Sequence, residues 1–427
     1  MNLMRKIENN RFAKNTLILV GGTASGQLIL VAVSPLLTRL YSPADFGVLS
    51  VYISILGLTS IISSLRYDQA ILLPKEEKVA TDVLNLSLVA AIFSAIFSSV
   101  VIIAIKSVPL INLKLAPFAQ FFWIIPFGIL TSGFYQSLSS WAVRNQNFSS
   151  IATTRLYQGA ISALIQVISG FLGLKPFGLI LGQFMGQFMG TNNLWRSYTQ
   201  SKPVDYKLEI SNLRYSAHFY RRFPLLAMPA SLLNSSSLLV PPILLAFLYG
   251  SHVAGWFALA QRVIGTPMTV IGGAVSQVYA GEAAVLISKN SYRELDVLFS
   301  RTIKRTLPIV FLIVILGFIA PYLFPFVFGE AWQRVGIYTS ILSFAFASQI
   351  LISPVSSTAN LVGRQDLQLI ADISRTFFTI LGIYISYASK QNDIVAVSVI
   401  SGILTFHYLI FYILNRYSIK SLERNTI

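Results

Sequence analysis

The chain has 427 residues, of which 54% are hydrophobic and 11% are charged, and its mean hydropathy is +0.67. Soluble domains carry roughly 25% charged residues, so this composition excludes an ordinary water-soluble protein. The net charge of +16 does not indicate nucleic-acid binding, because the basic residues are spread between apolar segments and form no patch interleaved with aromatic rings.

Apolar runs of about 20 residues recur along the chain, which is the length that an α-helix needs to cross a bilayer. They predict an all-α polytopic membrane protein with about twelve transmembrane helices in two six-helix lobes. The first run is too long for the core of a signal peptide, so it is expected to be retained as a span. The predicted spans are 16–38, 45–65, 83–105, 118–140, 153–173, 176–195, 223–249, 253–281, 306–328, 335–360, 367–388 and 393–415.

The most polar stretch lies between the sixth and seventh spans and divides the chain. We predict an N-terminal lobe over 1–200, a cytoplasmic linker over 201–222 and a C-terminal lobe over 223–427. Lys and Arg are concentrated on the side of the membrane that carries the N-terminus. The opposite side holds only Arg39, Lys106, Lys114, Lys175, Arg334 and Lys390. Under the positive-inside rule both termini are therefore cytoplasmic, which requires an even number of spans.

The two halves of the chain resemble each other near the ends of the first and seventh spans. Residues 36–41 with Gly47 align without gaps to residues 244–249 with Gly255. Parallel repeats of this kind are typical of transporters whose binding site lies at the interface of the repeats. A chance match within apolar sequence is the alternative.

Glycine recurs every four residues along one face of the sixth span. The glycines are Gly178, Gly182, Gly186 and Gly190. This pattern predicts that the backbone of another helix packs closely against that face. Gln183 and Gln187 lie beside the glycines, where we expect them to hydrogen-bond across the helix contact. The alternative is that they line a wet cavity.

Charged side chains within the spans are the strongest functional signal, because each costs at least about 2.5 to 3.5 kcal/mol in hydrocarbon. Arg262 lies near the middle of the eighth span and has no acid three or four residues away. Its partner is expected to be another helix, water or an anionic ligand. Arg375 has Asp372 three residues before it, which favours either a self-neutralised pair or a second cargo contact.

Further charges lie near the predicted cytoplasmic ends of the spans. They are Arg66, Asp68, Arg144, Arg155 and Glu282. Together they predict a charged vestibule, whereas each one taken singly is better explained as a solvated helix end.

Several kinds of chemistry are not expected from this sequence. His218, His252 and His407 lie on different segments without metal-ligand spacing, so no metal site is predicted. Cysteine is absent, and no glycine-rich phosphate loop precedes a Lys-Ser or Lys-Thr pair, so neither thiol chemistry nor ATP hydrolysis is encoded. We therefore expect no cofactor. The predicted external turns are short and hold no carboxylate pair, so the chain is not expected to be an enzyme.

Six segments give the chain a family resemblance. They are 40–47 (LYSPADFG), 65–74 (LRYDQAILLP), 223–224 (FP), 258–263 (ALAQRV), 327–332 (VFGEAW) and 360–365 (NLVGRQ). In these segments the chain resembles the polysaccharide flippases of the multidrug/oligosaccharidyl-lipid/polysaccharide (MOP) exporter superfamily, specifically the Wzx-like O-antigen and capsule translocases.

The resemblance implies a MATE/MOP-like fold, with two lobes around a cationic cavity that opens alternately to the two membrane faces. The implied cargo is an undecaprenyl-diphosphate-linked oligosaccharide, moved from the cytoplasmic to the outer face of the bacterial inner membrane for lipopolysaccharide O-antigen or other surface polysaccharide. Membrane lipids, a polysaccharide polymerase and its chain-length machinery are the expected partners, and nucleic acid is not.

The implied site uses the charges named above. Arg262, Arg375, Arg66 and Arg155 would hold the anionic diphosphate by charge-assisted hydrogen bonds. The acids Asp372, Asp68 and Glu282 would act as coupling groups or charge partners.

Two other functions remain open at the level of sequence. A cation-coupled drug or small-molecule antiporter of the same superfamily is expected to carry an acid deep in the N-terminal lobe. Between residues 16 and 65 the acid present is Asp45, at the start of a helix. A membrane glycosyltransferase or polymerase is the less favoured alternative.

Overall fold

The computed structural model describes residues 2–106, 118, 120–201 and 209–425, and over these residues the chain is helical and contains no strand. The helices of the first half are α1 (Asn2–Leu40), α2 (Pro43–Ser63), α3 (Tyr67–Ala70), α4 (Glu77–Lys106), α5 (Ile125–Arg144), α6 (Phe148–Phe171), α7 (Phe177–Ser201) and α8 (Ile210–Phe219). Those of the second half are α9 (Met228–Tyr249), α10 (Ser251–Ala260), α11 (Thr266–Ser288), α12 (Tyr292–Phe328), α13 (Gln333–Ile352), α14 (Thr358–Leu361), α15 (Gln365–Ala388) and α16 (Asp393–Asn425).

Short turns of other helix types extend several of these elements. The 3₁₀ turns are Phe122–Ile124, Glu330–Trp332 and Ser353–Val355, and the π turns are Phe223–Ala227 and Gln261–Gly265. The second π turn joins α10 to α11, so that Ser251–Ser288 forms one continuous apolar segment.

The predicted all-α polytopic membrane fold is confirmed. Every predicted span overlaps a helix, and nine helices within the described residues are long and apolar enough to cross a bilayer. Three further helices, α5 to α7, are long enough to cross a bilayer but less apolar than these nine, because Ser, Thr, Gln and Gly interrupt their apolar residues. The total of twelve spans and the cytoplasmic position of both termini stay predictions.

The chain forms two compact units. The first comprises Met1–Tyr41 with Val48–Ser235, and the second comprises Ser42–Gly47 with Ser236–Ile427. The second half of the predicted linker is the helix α8, which belongs to the first unit. Residues 202–208 of that linker, like Lys114, lie outside the described residues.

The predicted close packing at the glycines of α7 is confirmed within the first unit. A Cβ added at Gly186 would lie 2.5 Å from the carbonyl oxygen of Gln158 on α6, and one at Gly182 would lie 2.8 Å from that of Ser162. On the other side of α6, a Cβ at Gly26 of α1 would collide with the carbonyl of Arg155. The helices α1, α6 and α7 therefore pack with their backbones nearly in contact.

The two repeated segments contact each other within the second unit. A Cβ at Gly47 would collide with the backbone of Ser251. One at Gly255 would collide with the carbonyl of Pro43 and lie 3.0 Å from the Gly47 nitrogen. Pro43 and Gly47 align with Ser251 and Gly255 in the repeat, so the contact is reciprocal.

We predict that Gly186→Ala lowers the stability of the protein. The added methyl group meets backbone rather than a flexible side chain, and overpacking of this kind typically costs about 1 to 3 kcal/mol. Gly402→Ala is the matched control, because a Cβ at Gly402 on α16 meets no atom within 4 Å. Thermal unfolding of the two variants in detergent, followed by size-exclusion chromatography, should show a lower midpoint for Gly186→Ala alone.

Candidate functional site

The first unit contains a polar cavity of about 240 Å³. Its walls are formed by the helices α1, α2, α5, α6 and α7. The polar residues that line it are Thr23, Gln27, Ser60, Ser132, Tyr135, Arg155, Gln158, Ser162, Gln183 and Gln187. Among these lining residues Arg155 carries the only charge, so the cavity is cationic and otherwise rich in amide and hydroxyl groups.

Arg155 is held in the wall of the cavity by two side chains. Its guanidinium carbon lies 4.7 Å from the centroid of the Tyr135 ring, in a cation–π contact. Its Nη1 donates a hydrogen bond to Oε1 of Gln158, one turn along α6, at 3.3 Å. The helix itself is fixed by Asn147, whose side-chain oxygen accepts from the Ser150 amide and caps its N-terminus.

The structure shows both of the roles considered for Gln183 and Gln187, which are lining a cavity and bonding across a helix contact. Both line the cavity, and Nε2 of Gln187 donates to the hydroxyl of Ser132 on α5. The glycines of α7 face α6, which turns the adjacent glutamines toward the space between α5, α6 and α7. Their i, i+4 spacing in an otherwise apolar span was the sequence signal for this role.

The charged groups around α3 are built into the fold. Leu65 and Arg66 adopt left-handed backbone angles, with φ of 50° and 61°. Asp68 is buried and accepts a hydrogen bond from the Ser64 hydroxyl. Arg144 donates to the carbonyl of Ile71 at 3.1 Å. The interpretation as a solvated helix end is therefore wrong for Asp68, which is buried, whereas Arg144 is half-buried and bonds to the backbone.

Arg262 lies on the π turn between α10 and α11, where it is partly buried. The turn is marked by a hydrogen bond from the Thr266 amide to the carbonyl of Gln261, five residues earlier. Pro267 follows directly and has no amide hydrogen, so the carbonyl of Val263 loses its usual helical donor. A π turn absorbs such a defect, and turns of this type often carry functional side chains. Glu282, farther along α11, is exposed.

Arg375 and Asp372 form the self-neutralised pair that their spacing indicated. Nη2 of Arg375 lies 3.1 Å from Oδ1 of Asp372, and each residue is 7% exposed. The guanidinium also donates to the hydroxyl of Tyr408 on α16. The ring of the buried His407 packs against the rings of Tyr408 and Phe411. Throughout the described ranges, no group of three or more His, Asp or Glu residues is arranged to hold a metal ion.

The functional residues thus separate by unit. Arg155 and Arg66 belong to the first unit, and Arg262 and Arg375 belong to the second. Of the predicted cationic residues, Arg155 lines the polar cavity of the first unit, and Arg375 forms an ion pair with the carboxylate of Asp372.

Comparison with known proteins relates the chain to one sequence family and one fold. The sequence model of a family described as "Polysaccharide biosynthesis protein" matches residues 36–336, which is more than half of the chain. No curated protein matches the chain in sequence.

Solved structures of transporters share the fold across nearly the whole chain. An inward-facing multidrug resistance MATE family transporter of the MOP superfamily matches with a TM-score of 0.65 and 13% identity, over 98% of this chain and 99% of that one. The Vibrio cholerae MATE transporter VcmN in its bent form matches with a TM-score of 0.58 and 15% identity, over 97% of each chain. A eukaryotic MATE transporter matches with a TM-score of 0.55 and 15% identity, over 98% of this chain and 99% of that one. The chain therefore shares the fold of these transporters.

We predict that breaking the buried ion pair of Arg375 and Asp372 destabilises the protein far more than breaking an exposed ion pair. Arg375→Ala leaves the Asp372 carboxylate buried without its partner, which costs about 3 to 5 kcal/mol. The double variant Asp372→Leu with Arg375→Met should recover most of that loss. Arg364→Ala is the control, because its pair with Asp366 is exposed and worth about 0 to 1 kcal/mol. Equal thermal midpoints for Arg375→Ala and Arg364→Ala would contradict a structural role for the buried pair.

Proposed function

Because the chain belongs to the polysaccharide biosynthesis protein family, we propose that it flips the lipid-linked oligosaccharide precursor of a surface polysaccharide across a membrane. The proposed cargo is an undecaprenyl-diphosphate-linked oligosaccharide, carried from the cytoplasmic to the outer face of the bacterial inner membrane by alternating access. The product would supply O-antigen or capsule assembly, with a polysaccharide polymerase and its chain-length machinery as partners.

The observation that carries this proposal is the polar cavity of the first unit. A cluster of amides and hydroxyls within helices that cross hydrocarbon is costly unless the groups have partners or a polar occupant. Sugar hydroxyls both donate and accept hydrogen bonds, and the side chains of Gln27, Gln158, Gln183 and Ser132 offer both kinds of group. The cavity is therefore chemically suited to a sugar rather than to an apolar drug.

Arg155 is the proposed contact for the diphosphate. A guanidinium offers five N–H donors, one of which is used by Gln158. Its position over the Tyr135 ring keeps it in the cavity wall and fixes the plane of its fork. Charge-assisted hydrogen bonds to phosphate oxygens are short and strong, and a planar fork makes two of them at once.

The size of the cavity limits which part of the cargo it can hold. A volume of about 240 Å³ lies slightly below the roughly 300 to 1,000 Å³ of ordinary ligand sites. It accommodates a charged or sugar portion rather than a whole lipid-linked oligosaccharide. We propose that the polyprenyl tail stays in the bilayer, since moving it through a wet passage would forfeit about 0.8 kcal/mol per buried methylene group.

The remaining predicted site residues receive different roles. Arg262 is proposed to contact the cargo, because it lies on a π turn and such turns are frequent at functional sites. Arg66 is proposed as a contact at the cytoplasmic end, since its Nε is buried without a hydrogen-bond partner among the described residues. Arg375 and Asp372 are assigned to stability. Glu282 and Asp68 stay proposed charge partners.

The antiporter alternative lacks the acid that it requires in this cavity. None of the residues that line the cavity within the described part of the first unit is a carboxylate. Asp45 instead accepts hydrogen bonds from the amide and hydroxyl of Ser42, at 2.8 and 2.7 Å, and so caps the start of α2. Its carboxylate serves the helix terminus rather than ion coupling.

We predict that Arg155→Ala abolishes most flipping. Loss of a charged hydrogen bond to the diphosphate costs about 1.5 to 3 kcal/mol, or roughly ten-fold or more in affinity. Surface polysaccharide should be measured in cells that carry each variant in place of the chromosomal copy, at matched protein levels. Arg155→Lys should retain part of the activity. Arg196→Ala on α7, an exposed residue of the same unit, should behave as wild type. Normal polymer in the Arg155→Ala cells would refute the site.

We predict a separate defect for Arg262→Ala in the same cells. Surface polymer should fall while Arg262→Lys retains part of it, because the positive charge is preserved although the planar fork is lost. Lipid-linked oligosaccharide extracted from the Arg262→Ala cells should accumulate and stay inaccessible to enzymes added outside. A wild-type amount of polymer would show that this arginine serves only the packing of its own unit.

A further inference from the structure

The helix α8 presents a basic and aromatic surface on its outer side. Arg214 and Tyr215 are exposed on the helix, and Arg221 and Arg222 are exposed in the turn that follows it. Tyr215 and Phe219 are 68% and 63% exposed and stack with their ring centroids 6.0 Å apart. We call these five residues the α8 arginine face. From Ile210 to Arg222 the sequence contains no acid, and Glu209 lies at the opposite end of the helix.

The inner side of α8 is fixed to the first unit. Ser216 and Tyr220 are buried, and Tyr220 belongs to the apolar core formed with Tyr67 and Leu84. The hydroxyl of Tyr67 also donates to the carbonyl of Ala217 at 3.4 Å. The orientation of the helix is thereby set, and its arginine face is directed away from the protein core.

The chain holds this face close to the bilayer. The candidate span Phe223–Tyr249 begins directly after Arg222. Phe223 lies four residues after Phe219, and four extended residues reach at most about 14 Å, so the end of α8 lies within that distance of the start of the span. At that depth arginine side chains meet lipid phosphates, and tyrosine and phenylalanine rings enter the boundary between headgroups and acyl chains.

We propose that the α8 arginine face binds the phosphate headgroup of an anionic phospholipid in the adjoining leaflet. The three arginines supply charge-assisted hydrogen bonds to the phosphate, and the Tyr215–Phe219 pair lies among the upper acyl chains. This site differs from the cargo cavity, because no residue of the face lines that cavity. It gives the first unit a lipid anchor at the point where the chain passes into α9.

The test is native mass spectrometry of the purified full chain, titrated with dioleoylphosphatidylglycerol and, separately, with dioleoylphosphatidylcholine. The test variant carries Arg214→Gln, Arg221→Gln and Arg222→Gln. Each basic residue near an anionic surface contributes about five-fold in affinity, the equivalent of about 1 kcal/mol. Affinity for the first bound phosphatidylglycerol should therefore fall by at least ten-fold in this variant, with phosphatidylcholine binding unchanged.

The control removes the same charge from exposed positions on another helix. It carries Arg301→Gln, Lys304→Gln and Arg305→Gln on α12 and should bind phosphatidylglycerol as wild type. Replacement of the three α8 arginines by lysine should keep most of the binding, since the charge is retained. Wild-type affinity in the glutamine variant of α8, equal losses in both glutamine variants, or a parallel loss of phosphatidylcholine would each overturn the proposal. Glutamine favours helices, and an unchanged thermal midpoint verifies that α8 stays folded.

Discussion

Backbone contact at glycines is the constraint on which the first unit depends. Lipid tails are as apolar as leucine, so helices in a bilayer associate through close packing rather than through the hydrophobic effect. Gly26 of α1 and Gly186 of α7 each bring a neighbouring backbone against α6. This contact decides where larger side chains can go. Gln183 and Gln187, which flank the glycines, are turned into the space that remains, and that space becomes the polar cavity.

The three long helices with the weakest apolar character, α5, α6 and α7, all line the cavity, together with α1 and α2. α5, α6 and α7 supply Ser132, Arg155, Gln158, Gln183 and Gln187, and these residues lower their hydropathy. A helix that faced only lipid would gain nothing from them. Their cost is offset in part by hydrogen bonds such as Arg155 to Gln158 and by the contact of Arg155 with the Tyr135 ring. In these three helices, low hydropathy therefore reflects the polar side chains that line the cavity.

Sequence reasoning reached the spans and the glycine contacts because both depend on local periodicity. It missed the first part of α12, which begins at Tyr292 rather than at 306. Hydropathy marks the residues that lie in hydrocarbon, and it does not show how far the helix continues beyond them. It treated α8 as linker because ten residues give little apolar signal. It placed Arg155 but not Arg144 in the implied site, and it could not predict what either side chain contacts. The partners of these two arginines, Tyr135 and the Ile71 carbonyl, come from distant parts of the chain, and periodicity carries no information about them.

The charged residues in the membrane follow two different physical rules. Arg375 is neutralised by Asp372 one turn away, so its charge does not require an anionic ligand. Arg155 has an aromatic ring and an amide but no carboxylate among the residues that line its cavity, so its positive charge is available to an anion. A self-contained ion pair serves the stability of the chain, whereas a cation without a carboxylate partner can hold the anionic cargo proposed above.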